Sequence, residues 1–103
     1  MKVMFISDLH GSYYWANKAI EKYHEEKADK LIILGDILYH GPRNDLPKDY
    51  NCKKVIALLN PLKKDIIAVR GNCDSEVDQM VLDFPMRSDY ALMDVDQHHF
   101  FMT

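Results

Sequence analysis

Three short polar segments of the sequence carry side chains that bind metal ions in proteins, and each follows an apolar run. The segments are Asp8–Gly11 (DLHG), Gly35–Asp36 (GD) and Gly71–Asp74 (GNCD). Carboxylate and imidazole groups together suit a borderline divalent cation such as Mn, Fe, Co, Ni or Zn. Every segment also contains a glycine, which lets the backbone turn or approach a neighbour closely. The residue types therefore favour a divalent metal site.

The first segment offers a carboxylate and an imidazole two positions apart, Asp8 and His10. In extended backbone, residues i and i+2 point to the same side, so these two side chains are expected to converge while Leu9 faces away. A structural alternative stays open, in which Asp8 caps the next helix and His10 is a loop histidine.

The second segment places Asp36 directly after Gly35. If Asp36 lies near Asp8, the two carboxylates repel each other unless a cation lies between them. The structural alternative is an ordinary turn aspartate.

The third segment offers Asn72, whose side-chain oxygen is a neutral metal ligand. Asp74 could instead cap the helix that begins near Ser75. Cys73 could be a small buried apolar residue, which is the commoner role of a lone cysteine.

The elements that must position these segments alternate between apolar strands and amphipathic helices. The predicted strands are Val3–Ser7, Leu31–Leu34 and Ile66–Val69, followed by Tyr90–Val95 and His98–Met102. Helical spacing of apolar residues predicts one helix from Ser12 to about Lys27, a second over Cys52–Leu59 and a third over Val77–Phe84. Ser12 is the predicted N-cap of the first, and Pro61 ends the second.

This order predicts an α/β fold, a βαβαβα core followed by a β-hairpin around Asp96 and Gln97. Strands alternating with helices favour a parallel sheet, and ligands bind such sheets at the carboxyl ends of their strands. All three polar segments lie at such ends. We therefore prefer one shared metal site to three unrelated structural roles.

Composition excludes several other classes of protein. The chain has 103 residues, a net charge of −3 and 48% hydrophobic residues, so we expect one globular domain without a nucleic-acid-binding footprint. Its apolar runs are too short to span a membrane, and its N-terminus lacks the pattern of a secretory signal. Cys52 and Cys73 are isolated, which favours a cytoplasmic location.

The motifs resemble those of a known family. DLHG, GDILYHG and GNCD are similar to the first three blocks of the calcineurin-like metallophosphoesterases, and the surrounding LYHGPRNDLPKDYN and AVRGNCDSEVDQM resemble the small bacterial phosphodiesterases of the YfcE type. The resemblance implies that residues 1–103 form the N-terminal half of an α/β/β/α sandwich domain. It also implies that the chain stops before the family's C-terminal histidine motifs.

The resemblance further implies a centre of two divalent metal ions, manganese foremost. Asp8 and His10 would hold one metal, Asp36 would bridge both, and Asn72 would hold the other. Cys73 stands where most family members carry a histidine that assists the leaving group, so it is the candidate catalytic residue.

Other polar residues near these blocks leave alternatives open. Arg43, in the loop after Asp36, could bind a substrate phosphate or be a solvated loop arginine. His98 and His99 are better explained as surface strand residues than as replacements for the missing histidine ligands. His24 is expected in solvent, and His40 in a loop or a structural role.

The expected function is two-metal hydrolysis of a small phosphodiester. An alternative is a catalytically incomplete half-domain that self-associates or serves as a binding module, with a homo-oligomer as its assembly. A receiver-like signalling module is disfavoured, because it needs a lysine at a late strand end and has no use for His10 or Asn72.

Overall fold

The computed structural model describes residues 1–39, 47–71, 73–74 and 76–103, and only the backbone of residues 76, 77 and 95. It has the predicted order of elements. The strands are β1 (Val3–Ile6), β2 (Lys30–Ile33), β3 (Ile66–Ala68), β4 (Ala91–Val95) and β5 (His98–Met102); the helices are α1 (Tyr13–Glu25), α2 (Cys52–Leu59) and α3 (Glu76–Val81). A 3₁₀ segment, Asn60–Asp65, joins α2 to β3.

Strands β1, β2 and β3 form the predicted parallel sheet, and their spatial order is β1-β2-β3. In register, Phe5 pairs with Ile32, and Ile32 pairs with Ile67. All three strands therefore run in the same direction and end at one edge of the sheet. That edge receives the three polar segments.

Helices α1 and α2 cover one face of the sheet. Ala16, Ile20 and Tyr23 of α1 are buried, as the spacing predicts, and pack in the same core as Leu31 and Ile33 of β2. At the start of α1, the Ser12 hydroxyl accepts a hydrogen bond from the backbone N–H of Trp15. The N-cap prediction is confirmed.

Strands β4 and β5 pair antiparallel and cover the opposite face of the sheet. Met102 of β5 packs with Ile32 and Val69, and the partly buried Ala91 and Met93 of β4 lie against the same cluster. The central strand β2 is thus covered on both sides, which explains its continuous apolar sequence. The arrangement supplies the second β layer of the expected sandwich.

The third helix differs from its prediction. It ends at Val81, and Met80, expected on its apolar face, is 83% exposed. Phe84 is buried after the helix has ended. The side-chain amide of Gln79 donates to the carbonyl oxygens of Leu82 and Phe84, and this stabilises a non-helical path there. Helical spacing alone could not detect that interaction.

None of the helices in the described ranges has the length and apolar composition needed to cross a bilayer. Cys52 and Cys73 are both free thiols.

Candidate metal centre

The polypeptide after β1 runs alongside the polypeptide after β2. The backbone N–H of Asp8 donates to the Gly35 carbonyl at 3.2 Å, and the N–H of His10 donates to the Asp36 carbonyl at 2.9 Å. The N–H of Gly11 continues this pairing to the Ile37 carbonyl at 2.8 Å. The first two polar segments are therefore fixed to each other by their backbones.

The three predicted metal ligands in these two paired segments have unusual backbone conformations. Asp8, His10 and Asp36 have φ values of 58°, 49° and 54°. The extended backbone predicted for Asp8 and His10 is therefore wrong, although their side chains do converge. Left-handed conformations cost energy in residues other than glycine and tend to occur at functional sites.

The end of β2 lies against the end of β3. A Cβ atom on Gly35, which has φ of +100°, would lie 2.2 Å from the backbone N of Gly71. A Cβ atom on Gly71 would lie 2.4 Å from the Asp36 carboxylate. Neither position has space for a Cβ atom. The two glycines therefore allow the third segment to approach Asp36.

The imidazole of His10 is oriented by a backbone carbonyl. Its Nδ1 lies 2.8 Å from the carbonyl oxygen of Tyr39, which can only accept, so Nδ1 carries the proton. In the neutral ring, Nε2 then presents a lone pair to the centre of the site, as is usual for metal-binding histidines.

Acceptor atoms from three residues converge on one point. His10 Nε2 lies 3.3 Å from Asp8 Oδ1 and 4.0 Å from Asp36 Oδ2. The Cys73 sulfur joins His10 and Asp36 in a group whose ligand atoms all lie within 4.8 Å of one another. Lone pairs that face one another are stabilised by a cation between them, so these residues fit a divalent metal ion.

The electrostatics of the site agree with this fit. Burial, followed by a hydrogen bond with Asp8 and the charges of Asp74 and Asp8, raises the pKa of the Asp36 carboxyl despite a hydrogen bond from the Cys73 N–H. Partial burial acts to raise the pKa of Asp8, but hydrogen bonds with Ser7 and Asp36 outweigh it and the pKa is lowered. A proton on Asp36 can thus be shared with Asp8, and a metal ion would take its place.

Cys73 is positioned by its backbone. Its N–H donates to Asp36 Oδ1 at 2.7 Å. Burial, with the nearby charges of Asp36, Asp74 and Asp8, raises the pKa of its thiol.

Asp74 has a role that the sequence argument missed. Its buried carboxylate accepts hydrogen bonds from the backbone N–H groups of Asp36 and Gly71, both at 2.7 Å, and of Ile37 at 3.0 Å. It therefore ties the end of β2 to the end of β3 and sets the position of Asp36. An aspartate just before a predicted helix suggests only a helix cap, and its position in the sequence gives no signal of this long-range contact.

The remaining candidates fall in two groups. Asn72, Arg43 and His40 lie outside the described residues. His24, His98 and His99 are exposed, and His99 contacts Asp94 across the hairpin. These three histidines therefore match their predicted surface positions.

Comparison with known proteins identifies a family and individual relatives that are similar to this chain. Residues 1–101 match the calcineurin-like phosphoesterase family. The chain is 47% identical over 103 residues to phosphodiesterase YfcE of Escherichia coli, a match that covers 100% of this chain and 56% of that protein. It is also 36% identical over 75 residues to the symmetrical bis(5'-nucleosyl)-tetraphosphatase of Buchnera aphidicola, covering 72% of this chain and 24% of that protein.

The solved structure of YfcE, described as a phosphoesterase from E. coli, superposes with a TM-score of 0.97 at 47% identity. The superposition covers 100% of this chain and 57% of that structure. The chain thus spans little more than half the length of its YfcE relatives.

Proposed function

The chain belongs to the calcineurin-like phosphoesterase family, and from this membership we propose that it is a metal-dependent phosphodiesterase that acts on small phosphodiesters. The observation that carries the proposal is the convergence of His10 Nε2 with the carboxylates of Asp8 and Asp36. Such a group of facing acceptors is costly without a cation.

The proposed ligands are Asp8, His10, Asp36 and Asn72, and the proposed cofactor is a pair of divalent ions, manganese foremost. When bound, these ions would supply the Lewis-acid chemistry that phosphoester hydrolysis requires. The protein's own part is to fix the ligands: the Tyr39 carbonyl orients His10, and Asp74 holds the backbone of Asp36.

Cys73 is the proposed catalytic residue, and its surroundings limit what it can do. In the metal-free chain, burial and the nearby carboxylates raise the pKa of this thiol and favour its protonated form. In that form the thiol can donate a hydrogen bond or a proton to a leaving oxygen, which is the role we propose for it. Arg43 is proposed to contact the substrate phosphate, and a cytoplasmic location is proposed for the protein.

Asp36→Asn is the variant that tests this proposal. We expect the wild-type chain, purified with manganese, to retain the metal, and Asp36→Asn to weaken retention by more than about 100-fold, beyond the loss typical of a residue that only supports a ligand. Elemental mass spectrometry measures the metal, and a chromogenic phosphodiester measures the activity, which we expect to fall with it. Asp83→Asn, at an exposed position, is the matched control.

A wild-type chain that retains no metal, or an Asp36→Asn variant that keeps both metal and diesterase activity, would contradict the proposal. A loss that Asp83→Asn shares would show a general effect of charge removal, and would also contradict it.

We also propose that the chain associates with itself, because part of the outer face of the hairpin is apolar. Leu92 of β4 and Phe101 of β5, which pair directly across the hairpin, are 72% and 65% exposed. Burial of such a face in a second copy would remove apolar surface from water.

A further inference from the structure

A second polar site lies beside α3, apart from the residues of the metal centre. It is a cleft of about 430 Å³. The residues that line it are Arg70, Gln79, Pro85, Arg87 and Ser88. Both its charged residues are arginines, and neither belongs to the proposed ligand set.

The backbone around the cleft is held in place on both sides. The N–H of Arg70 donates to the carbonyl of Ser88 at 2.8 Å, which joins the end of β3 to the segment after α3. Gln79 accepts from the N–H of Met86 at 2.9 Å, and the Met86 side chain is buried. The backbone that carries the two arginines is therefore held in place, so binding has to order only their exposed side chains.

Among the residues that the structure describes, no acidic group lies within ion-pair distance of either guanidinium group. Across the described ranges, neither Arg70 nor Arg87 forms an ion pair, although acidic residues outnumber basic ones in the chain. Two positive groups around one cleft repel each other, and an anion between them removes this repulsion. The guanidinium fork matches the oxygens of an oxyanion, and the Ser88 hydroxyl can add a further donor.

We propose that this cleft binds a phosphate group, independently of the metal centre. Two guanidinium groups match the charge of a phosphate dianion better than that of a carboxylate. The occupant is inorganic phosphate or the terminal phosphate of a small molecule.

The test is a titration of the 103-residue chain with inorganic phosphate after the metal has been removed with EDTA. NMR signals of the Gln79 side-chain amide and the Ser88 backbone amide report on the cleft. We expect saturable shifts at both signals. Arg70→Gln and Arg87→Gln should each weaken binding by about tenfold, the usual effect of one charge-assisted contact, and the double variant should abolish it.

Three comparisons make the result decisive. Lys63→Gln, an equal change of charge at an exposed position, should leave the affinity unchanged. Glycerol 3-phosphate should shift the same signals if the terminal phosphate of a small molecule is accepted, and acetate should bind much more weakly than either. Thermal unfolding of each variant checks its fold. If Arg70→Gln proves unstable, the loss of phosphate affinity in Arg87→Gln tests the proposal.

The proposal is overturned if phosphate causes no saturable shift, if the double variant binds as the wild type does, or if acetate binds equally well. Because the metal has been removed, none of these results depends on the Asp36→Asn experiment, and the two proposals can fail separately.

Discussion

At the residue scale, the site consists of side chains that are unfavourable neighbours until a cation or a proton is shared among them. Cys73 illustrates this, because its sulfur lies within 4.8 Å of ligand atoms of His10 and Asp36. A thiolate there would add another negative charge to a partly buried group of carboxylates, so the protonated thiol is favoured.

A pH prediction follows for Cys73 in the metal-free chain. With Cys52→Ser as background, only Cys73 can be alkylated. The thiolate is the reactive form, so a raised pKa moves the midpoint of the iodoacetamide rate profile above that of free cysteine. Asp36→Asn should move the midpoint down again by removing one nearby charge, whereas Asp83→Asn should not. A midpoint below that of free cysteine would contradict the assignment of Cys73 as a protonated donor.

The sequence predicted that the candidate metal ligands lie close together, but it could not predict the backbone conformations in which they do so. Asp8, His10 and Asp36 were expected together because they follow successive parallel strands. Their left-handed φ values occur where two loops far apart in the sequence pair through their backbones. Local patterns carry no information on such pairing. For the same reason the Tyr39 carbonyl and Asp74 were missed.

At the scale of elements, the position of the site depends on how the end of β2 is joined to the end of β3. Asp74 makes this join through three backbone N–H groups, and the close approach of Gly35 to Gly71 leaves no space for a side chain at either glycine. A carboxylate with two acceptor oxygens suits this arrangement, because one oxygen receives two N–H groups and the other receives one.

We expect Asp74→Asn to destabilise the chain by about 2 kcal/mol, because the new amide NH₂ faces a backbone N–H and leaves it without an acceptor in a buried place. Metal retention should also fall, although Asp74 is not a proposed ligand, since the backbone of Asp36 moves with it. Urea unfolding and elemental mass spectrometry measure the two effects. If Asp74→Asn behaves like the exposed control Asp83→Asn in both, the carboxylate does not hold the strand ends.

Most of the elements could be predicted from periodicity. The strands and α1 combine strong apolar patterns with clear end signals, such as the Ser12 cap. Helix α3 has a similar apolar pattern, but it ends early because Gln79 binds the carbonyls beyond it. Hydrophobic spacing does not reveal a side chain that competes with helical hydrogen bonds.

At the scale of the whole molecule, the layers explain both the buried sheet and the exposed hairpin. Alternation along β4 and β5 sends Ala91, Met93 and Met102 toward the sheet, and Leu92 and Phe101 away from it. On the outer side, the ring of Tyr90 stacks on Phe101 at 5.6 Å between centroids. These three side chains therefore form an apolar strip on one side of the chain, next to the polar pair of Asp94 and His99.

Association through this strip predicts a specific response to charge. Leu92→Glu places a carboxylate in its centre, where a second copy would have to bury it, so we expect the variant to be monomeric at concentrations where the wild-type chain associates. Met80→Glu is the matched control, since Met80 on α3 is 83% exposed and lies outside the strip. Light scattering over a dilution series measures the mass of each variant against the 12.0 kDa of one chain. A wild-type chain that is monomeric throughout, or association that Met80→Glu removes and Leu92→Glu leaves intact, would contradict the hairpin as the interface.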